Sequence, residues 1–375
     1  MLSSAKCDTS FMDDPGPRGE TLPRAGAVDS GVVFARAPMR ISFAGGGTDV
    51  PPFPQREGGA VLSAAIRRYA YAAARIRDDD QFVIHSLDLG IEARGSVAEM
   101  SELDQKLHLL RAPIERLSES GRGVELRVQA QAPPGSGLGS SSTVMVAVLG
   151  ALIAAYGKSV SIHRIAELAV ELEREELKLS GGSQDHYAAA FGGFNFLEFG
   201  ADAVTVNQLR LPPETIATLE HNLLLCDLGS SRDSSKIIDD QRERFERDEE
   251  SSVLAFRRQK ELATEIQALL VSGDCDAFGA KLAEVWVAKQ QLSPLIATDP
   301  SATVEAVAHA AGALGGKMTG AGGGGYMLFY APFARRFEVE QAIRDLGYDV
   351  LSVDFAGQGV QVWSDDNHRQ LGGRV

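Results

Sequence analysis

A glycine-rich stretch followed at once by a long apolar run constrains this chain more than any other feature. It reads PPGSGLGSSSTVMVAVLGALIAAY and runs from Pro133 to Tyr156. Glycines let a ligand approach the main chain, and the first N–H groups of the helix predicted to follow have no partners within that helix. Such a loop at a helix N-terminus commonly binds phosphate. The alternative is an ordinary turn with a serine cap ahead of a core helix.

Two well-known phosphate loops do not fit this stretch. The Walker loop requires a lysine after its last glycine, and Ser140 stands at that position. The dinucleotide-binding motif requires its third glycine one residue after Gly139, and an acidic residue about 20 positions further on. The chain there reads GKSVSIHRI, without Asp or Glu. The stretch therefore predicts a phosphate loop of another kind.

Composition limits the class of protein and of partner. The 375 residues are 44% hydrophobic, which is enough for a large core and predicts two domains. The net charge of −14 argues against nucleic acid or a membrane as a partner, and any bound phosphate must be neutralised locally. Three scattered cysteines (Cys7, Cys226 and Cys275) predict reduced thiols and a cytoplasmic protein. No apolar run reaches the roughly 18 residues of a membrane span.

Periodicity predicts the elements of the N-terminal half after a disordered tail at residues 1–30. A strand from Val32 runs into three glycines, after which Asp49 lies on a loop, where it either contacts a ligand or makes an Asx turn. Ser161–Leu179 is an amphipathic helix with an acidic second half, in which a glutamate is either solvated or a ligand. The other predictions are strands Ala64–Asp78 and Gln81–Leu87 forming a hairpin, a helix Ser101–Ser120 bent at Pro113, a short helix beginning near Asp185, and strands Gly123–Gln131, Phe194–Phe199 and Ala203–Leu211.

The second half has a glycine-rich run of its own. Pro212–Pro213 is the predicted boundary, which gives domains at residues 31–211 and 212–364 and a tail at 365–375. The run KMTGAGGGGYMLFY places four consecutive glycines ahead of an apolar strand, which is costly unless a close approach requires them. The other predictions are a strand at NLLLCDLG, a polar turn at Ser230–Ser235, helices Lys236–Leu270, Cys275–Gln291, Ser301–Ala313 and Arg335–Leu346, and a strand Val350–Phe355.

Three of these runs together resemble a known family. In this order and separation, APMRISFAGGGTD, PPGSGLGSSST and KMTGAGGGG resemble the motifs of the galactokinase, homoserine kinase, mevalonate kinase and phosphomevalonate kinase (GHMP) superfamily. Within it, AGGGTD, ELEREELKLSGGSQDHYAAAFGG and SSRDSSKII are most similar to D-glycero-D-manno-heptose 7-phosphate kinases. The resemblance implies an α+β fold, with an N-terminal domain like ribosomal protein S5, a ferredoxin-like C-terminal domain and an active site between them.

The resemblance also implies roles for individual residues. Asp185 matches the catalytic carboxylate, which accepts or orients the proton of the attacking hydroxyl. Arg40 matches the basic residue of the first motif, which would assist at the transferred phosphate or near Asp185. Ser141 and Glu173 match the ligands of Mg²⁺, with Glu175 as the alternative. The ATP-binding loop matches Pro134, Gly135, Ser136, Gly137, Leu138, Gly139, Ser140, Ser141, Ser142 and Thr143. The sugar-binding residues implied are Gly45, Gly46, Gly47, Thr48, Asp49, Gly182, Arg232 and Gly322, and Gly320–Gly325 is expected to support the phosphate loop.

The function implied is an ATP- and Mg²⁺-dependent kinase of nucleotide-activated heptose biosynthesis. Its substrate would be D-glycero-D-manno-heptose 7-phosphate, which it would phosphorylate at the anomeric hydroxyl to give the 1,7-bisphosphate. The chain could also form a homodimer. The alternatives are a kinase of an unphosphorylated sugar, such as fucose or galactose, and a non-catalytic sugar or nucleotide sensor. Arg232, flanked by serines, is expected to bind the phosphate of the substrate, with Arg67 and Arg68 as weaker candidates. The alternative is a surface ion pair of Arg232 with Asp233 or Asp239. Only Arg36 or Arg40 could replace the catalytic lysine of mevalonate kinases.

Overall fold

The computed structural model describes residues 21–22, 31–102, 105–119, 122–229 and 234–364. Most of both predicted tails lies outside these ranges, and so does Arg232. Two residues of the predicted N-terminal tail are described, and they pack on the protein: Thr21 forms a β-bridge with Ser161, and Leu22 is buried. At these two positions the prediction of a disordered tail was wrong.

Strands and helices alternate irregularly along the described residues. The strands are β1 (Val33–Ala44), β2 (Gly59–Ile76), β3 (Gln81–Ser86), β4 (Ile91–Ser96), β5 (Val124–Ala130), β6 (Phe194–Phe199), β7 (Val204–Leu209), β8 (Leu223–Asp227), β9 (Gly315–Met318), β10 (Tyr326–Tyr330), β11 (Asp349–Ser352) and β12 (Gln361–Ser364). The α-helices are α1 (Phe53–Glu57), α2 (His108–Leu117), α3 (Ser140–Ala155), α4 (Ile162–Val170), α5 (Gln184–Phe191), α6 (Pro213–Asn222), α7 (Ser234–Glu246), α8 (Glu250–Ser272), α9 (Cys275–Gln290), α10 (Asp299–Ala311) and α11 (Arg336–Asp345).

Two sheets organise these elements, and the predicted α+β class is confirmed. The larger sheet has the order β12-β1-β2-β5-β3-β4, with β6 pairing β2 and β7 pairing β6. The smaller sheet has the order β11-β8-β10-β9. β12, which the sequence did not predict, pairs with β1, where the rings of Phe34 and Trp363 stack at 5.8 Å. No helix in the described ranges is both long and apolar enough to cross a bilayer.

The predicted hairpin of β2 and β3 was wrong. One edge of β2 pairs with β1, and the other edge is shared, because Gly59–Ala64 pairs with β6 and Ala70–Ile76 pairs with β5. β5 therefore lies between β2 and β3, and it runs parallel to β3. Sheet register between distant strands is set by the packing of their faces, which local spacing does not show.

Two predicted helices are also interrupted. The acidic helix predicted at Ser161–Leu179 ends as α-helix at Val170 and continues as a π-helical turn over Glu171–Glu176. Such turns are frequent at functional sites. The stretch predicted at Lys236–Leu270 is two helices, α7 and α8, separated at residues 247–249.

Helix α3 is the centre of the larger core. It is apolar on all sides and is buried by contacts with β1 and β2 of the sheet and with the helices α2, α4 and α5. A helix without a polar face is stable only where other elements cover it, and each aliphatic side chain buried there stabilises the fold by about 1.5–3 kcal/mol. This packing fixes the N-terminus of α3 at Ser140, directly behind the glycine-rich loop.

β1 contributes to two cores, and this positions a buried arginine. Ala37 packs in the core around α3, whereas Met39 and Ile41 pack in a second core that α8 and α9 cover. The alternation changes face where the register with β2 shifts, between Pro38 and Met39, as at a β-bulge. Arg40 therefore faces the α3 side of the sheet, where the glycine-rich loop lies.

Candidate active site

A cavity of about 290 Å³ lies between the glycine-rich loop, the loop after β1, α7 and α9. Both halves of the chain contribute to its wall. Of the residues predicted to bind ATP, those that line the cavity are Pro134, Gly135, Gly137, Gly139, Ser140 and Ser141. Those that lie buried behind the wall are Ser136, Leu138, Ser142 and Thr143.

The two glycine-rich runs contact each other backbone to backbone. A Cβ atom added to Gly137 would lie 2.8 Å from the carbonyl oxygen of Thr319, and one added to Gly320 would lie 2.6 Å from the Cα of Gly137. Both glycines have positive φ, which other residues rarely adopt. The second run thus holds the first in place in front of α3, whose N-terminus can bind phosphate.

Asp185 and Arg40 form an ion pair at this loop. Asp185 Oδ1 lies 2.7 Å from Nε and 2.6 Å from Nη2 of Arg40, and Arg40 Nη1 donates to the carbonyl oxygen of Gly137 at 2.6 Å. A Cβ atom on Gly139 would lie 3.1 Å from Asp185 Oδ2. The charge-assisted bonds to the buried Arg40 hold the carboxylate against the phosphate loop.

A second buried carboxylate, Glu173, lies at the start of α3. Ser141 Oγ donates to its Oε1 at 3.0 Å, Ser142 Oγ donates to its Oε2 at 2.8 Å, and His186 Nε2 lies 2.5 Å from Oε2. Burial opposes ionisation of Glu173, but His186 and the hydroxyl of Ser142 outweigh it and lower its pKa to about 2. Glu175, the alternative ligand predicted in the acidic run, is exposed.

The donor set of Glu173 and Ser141 fits Mg²⁺. A carboxylate held ionised beside a hydroxyl at a phosphate loop supplies hard oxygen ligands, and Mg²⁺ commonly completes its shell with water and nucleotide phosphates. No group of three or more His, Cys, Asp or Glu residues suited to a metal occurs in the described part of the chain. A magnesium ion here would therefore rely on phosphate oxygens for further ligands.

Asp49 is fixed in the wall of the cavity. It accepts hydrogen bonds from the backbone N–H of Gln184 at 3.0 Å, from Gln184 Nε2 at 3.1 Å and from the N–H of Gly47 at 3.2 Å. A Cβ atom on Gly182 would lie 1.9 Å from Asp49 Oδ2, so this carboxylate requires glycine at that position. Gly46 lines the cavity with Gly47, Asp49 and Gly182.

Three residues predicted to contact the sugar do not line the cavity. The Thr48 hydroxyl bonds to the carbonyl oxygens of Gly45 at 2.8 Å and Ala60 at 3.0 Å, so Thr48 and Gly45 shape the loop behind Asp49. Gly322 packs against Ile296, where a Cβ atom would lie 2.8 Å from that side chain. The resemblance named residues of loops that surround the cavity but did not separate the residues that face the cavity from those behind its wall.

Three polar residues in the cavity wall were missed. Gln184 Oε1 and Gln241 Nε2 are buried without a hydrogen-bond partner among the described residues, and Lys289 is buried beside them. Unpaired buried polar atoms are costly, and an acceptor and a donor beside a carboxylate suit the hydroxyls of a sugar. For Gln241 the sequence held a signal, because its spacing places it on the same helix face as the apolar residues Ile237 and Phe245.

Comparison with known proteins identifies relatives of this architecture. The model of the GHMP kinases N terminal domain matches residues 108–193, and the model of the GHMP kinases C terminal domain matches residues 266–349. A D-glycero-alpha-D-manno-heptose 7-phosphate kinase of Campylobacter jejuni is 31% identical over 88% of this chain and 98% of its own. An L-fucokinase/L-fucose-1-P guanylyltransferase of Bacteroides fragilis is 25% identical over 83% of this chain and 36% of its own.

Solved structures agree with the described fold. The crystal structure of a D-glycero-D-manno-heptose 1-phosphate kinase from Bacteroides thetaiotaomicron superposes with a TM-score of 0.73 at 30% identity, covering 88% of this chain and 98% of that one. Lactococcus lactis galactokinase complexed with galactose superposes with a TM-score of 0.69 at 19% identity, covering 88% and 95%. The second likeness shows the fold alone.

Proposed function

The chain belongs to the GHMP kinases and phosphorylates a sugar hydroxyl, and we propose that its substrate is D-glycero-D-manno-heptose 7-phosphate. The reaction proposed uses ATP to phosphorylate the anomeric hydroxyl in the cytoplasm and gives the 1,7-bisphosphate. The proposal rests on one observation: Asp185 and Asp49 line the same cavity. Asp185 lies at the glycine-rich loop, and Asp49 lies beside the unpaired polar groups of Gln184 and Gln241. The first suits phosphoryl transfer and the second suits a polyhydroxylated acceptor.

In the proposed reaction Asp185 orients the acceptor hydroxyl and takes its proton. Phosphoryl transfer has a loose transition state, so holding the two reactants in line and neutralising charge matter more than the strength of the base. Arg40 fixes the carboxylate, and the glycine-rich loop with the N-terminus of α3 holds the phosphates. When bound at Ser141 and Glu173, Mg²⁺ would neutralise phosphate charge.

The wall near Asp49 also has room for a second phosphate. A recess of about 400 Å³ adjoins the cavity, shares Arg174 and Ser180 with it, and adds Lys178 and Arg242 to its wall. These cations suit a dianion, and Arg232, which lies outside the described residues, is proposed to bind it as well. Arg67 and Arg68, the weaker candidates, line a separate groove with Gln129 and Asp354, where Arg67 Nε donates to the carbonyl oxygen of Phe355.

The heptose phosphate kinases among the relatives support a heptose phosphate as substrate, although their names place its phosphate at different positions. The fucokinase relative favours a second candidate, an unphosphorylated sugar. The test is an ATP-consumption assay with heptose 7-phosphate, heptose 1-phosphate, the free heptose, fucose and galactose, with the product identified by phosphorus NMR. We expect kcat/KM to be highest for heptose 7-phosphate and a new phosphate resonance coupled to the anomeric proton. Preference for a free sugar, or phosphorylation at another hydroxyl, would contradict the proposal.

A further inference from the structure

Lys289 is a buried lysine in the wall of the cavity to which neither the motifs nor the proposed reaction gives a role. It lies near the C-terminal end of α9 and is 4% exposed. Its ammonium group has no hydrogen-bond or ion-pair partner in the described parts of the chain. Burying an unpaired ammonium is costly, and such groups concentrate at functional sites, where a ligand supplies the missing partner.

The charged groups that face Lys289 come from four elements. Arg40 projects from β1, Asp49 from the loop after it, Asp185 from α5 and Lys317 from β9. Arg40 is bonded to Asp185 and Gly137, and Lys317 donates to the carbonyl oxygen of Ser42. Among the described cations of this group, Lys289 is therefore the one for which no hydrogen bond is found, whereas Lys317 has used one of its three donors.

The ammonium interacts electrostatically with both carboxylates of the site, Asp49 and Asp185. A Cβ atom on Gly46 would lie 3.7 Å from Lys289 Nζ and 3.7 Å from Gln184 Nε2, which itself donates to Asp49. Asp185 interacts with Lys289 from the side of the phosphate loop. Lys289 thus lines the same cavity as the glycine-rich loop and Asp49, and it interacts with the carboxylates of both regions.

We propose, on the basis of the proposed function, that Lys289 is a further catalytic residue whose ammonium binds the transferred phosphoryl group. The acceptor hydroxyl gives its proton to Asp185 and its oxygen bonds to the γ-phosphorus. The bond from this phosphorus to the β,γ-bridging oxygen breaks, and its electron pair leaves with ADP. Lys289 keeps its protons and neutralises charge on the equatorial oxygens, where charge accumulates in the transition state.

Burial and the charge of Arg40 lower the pKa of Lys289 to about 8, while Asp49 and Asp185 act in the opposite direction. The catalytic ammonium is therefore lost as the pH rises through about 8, and kcat/KM should fall on that side. Burial also lowers the pKa of Lys317, so the alkaline limb alone does not identify the residue. The variant Lys289→Arg distinguishes Lys289 from Lys317 as the source of the alkaline limb, because a guanidinium stays charged well above pH 8.

The experiment compares Lys289→Met, Lys289→Arg and Lys281→Met in the full chain with ATP and the preferred sugar. Lys281 is on the same helix but is paired at the surface with Glu265 and Glu284. We expect Lys289→Met to lower kcat about 100-fold with the sugar KM within threefold, a loss typical of one transition-state donor. Lys289→Arg should retain more activity than Lys289→Met and lose the alkaline limb, and Lys281→Met should match the unaltered chain.

A binding measurement separates this inference from the proposed function. In calorimetry, Lys289→Met should weaken binding of ADP with aluminium fluoride, a mimic of the transferred group, but not of ADP alone. If the unaltered chain turns over no sugar, the proposed function fails, whereas this difference would still support Lys289. Equal binding of the mimic, a rise in sugar KM with kcat unchanged, or an alkaline limb that persists in Lys289→Arg would overturn the inference.

Discussion

His186 Nε2 lies 2.5 Å from Glu173 Oε2, so the residue that follows Asp185 in the chain holds the buried carboxylate at the start of α3. The side chains of His186 and Glu173 are both almost fully buried. With Ser142 on the same oxygen, this contact leaves Oε1 directed to Ser141. Asp185, the proposed proton acceptor, and Glu173, the proposed metal ligand, are thereby coupled through His186, and a shift of α5 would move both.

Glu173→Gln and Ser141→Ala should each raise the Mg²⁺ concentration needed for half-maximal activity by about 10–100-fold, the loss typical of a disturbed metal site. Part of the loss should be recovered at high Mg²⁺. Steady-state kinetics over a Mg²⁺ titration check this, with the exposed Glu175→Gln as the matched control. A larger effect of Glu175→Gln would assign the metal to the other glutamate.

The ionised Glu173 should also make stability depend on pH. Its pKa is about 2 in the folded state, against an ordinary value of 4.5, so its contribution is complete above pH 4.5 and is lost as the pH falls toward 2. Urea unfolding at several pH values should show that Glu173→Gln has a lower free energy of unfolding than the unaltered chain above pH 4.5, by on the order of 3 kcal/mol at most. This difference should shrink as the pH falls below 4.5. A difference independent of pH would mean that Glu173 is not ionised.

Asp185→Asn should lower kcat by about 10²–10⁴-fold while ATP and sugar still bind. The amide preserves the shape of the side chain but cannot accept the proton of the acceptor hydroxyl. Single-turnover kinetics measure the chemical step, and calorimetry measures binding. Unchanged turnover would remove Asp185 from its role.

Gly182→Ala should raise the sugar KM at least tenfold, by an order-of-magnitude argument, because the added methyl group would displace Asp49. ATP affinity should change little. Gly357→Ala is the control, since Gly357 has open space around its Cβ position and no positive φ. Sugar saturation curves compare the two variants. If the curves are equal, Asp49 does not contribute to sugar binding.

Arg232→Ala should weaken transition-state binding of the sugar 7-phosphate by about 1.5–3 kcal/mol, and that of the same sugar without phosphate much less. A guanidinium can donate two parallel hydrogen bonds to a phosphate. The kcat/KM values for both sugars give the result. An equal loss on both would indicate a structural role, such as an ion pair with Asp239.

The sequence predicted the elements that are marked by glycines or by strong hydrophobic periodicity, because both signals depend only on residues close together in the chain. Asp185 lies at the start of a helix and Glu173 beside Ser141, as the motifs implied. The order of β2, β5 and β3 could not be predicted, since it depends on which faces of distant strands pack together. Lys289 was missed because a lysine on a helix is usually solvated. Its place on the buried face follows only from the tertiary packing of α9.

The pairing of β12 with β1 has a consequence for synthesis of the chain on the ribosome. Val33–Arg36 emerges more than three hundred residues before its partner Gln361–Ser364. Domains usually begin to fold as they emerge, and an unpaired strand edge can join other chains in the meantime. Until Gln361–Ser364 has been made, Val33–Arg36 therefore lacks its strand partner on this edge of the large sheet, and we expect a chaperone that shields strand edges to reduce association of the nascent chain with other chains.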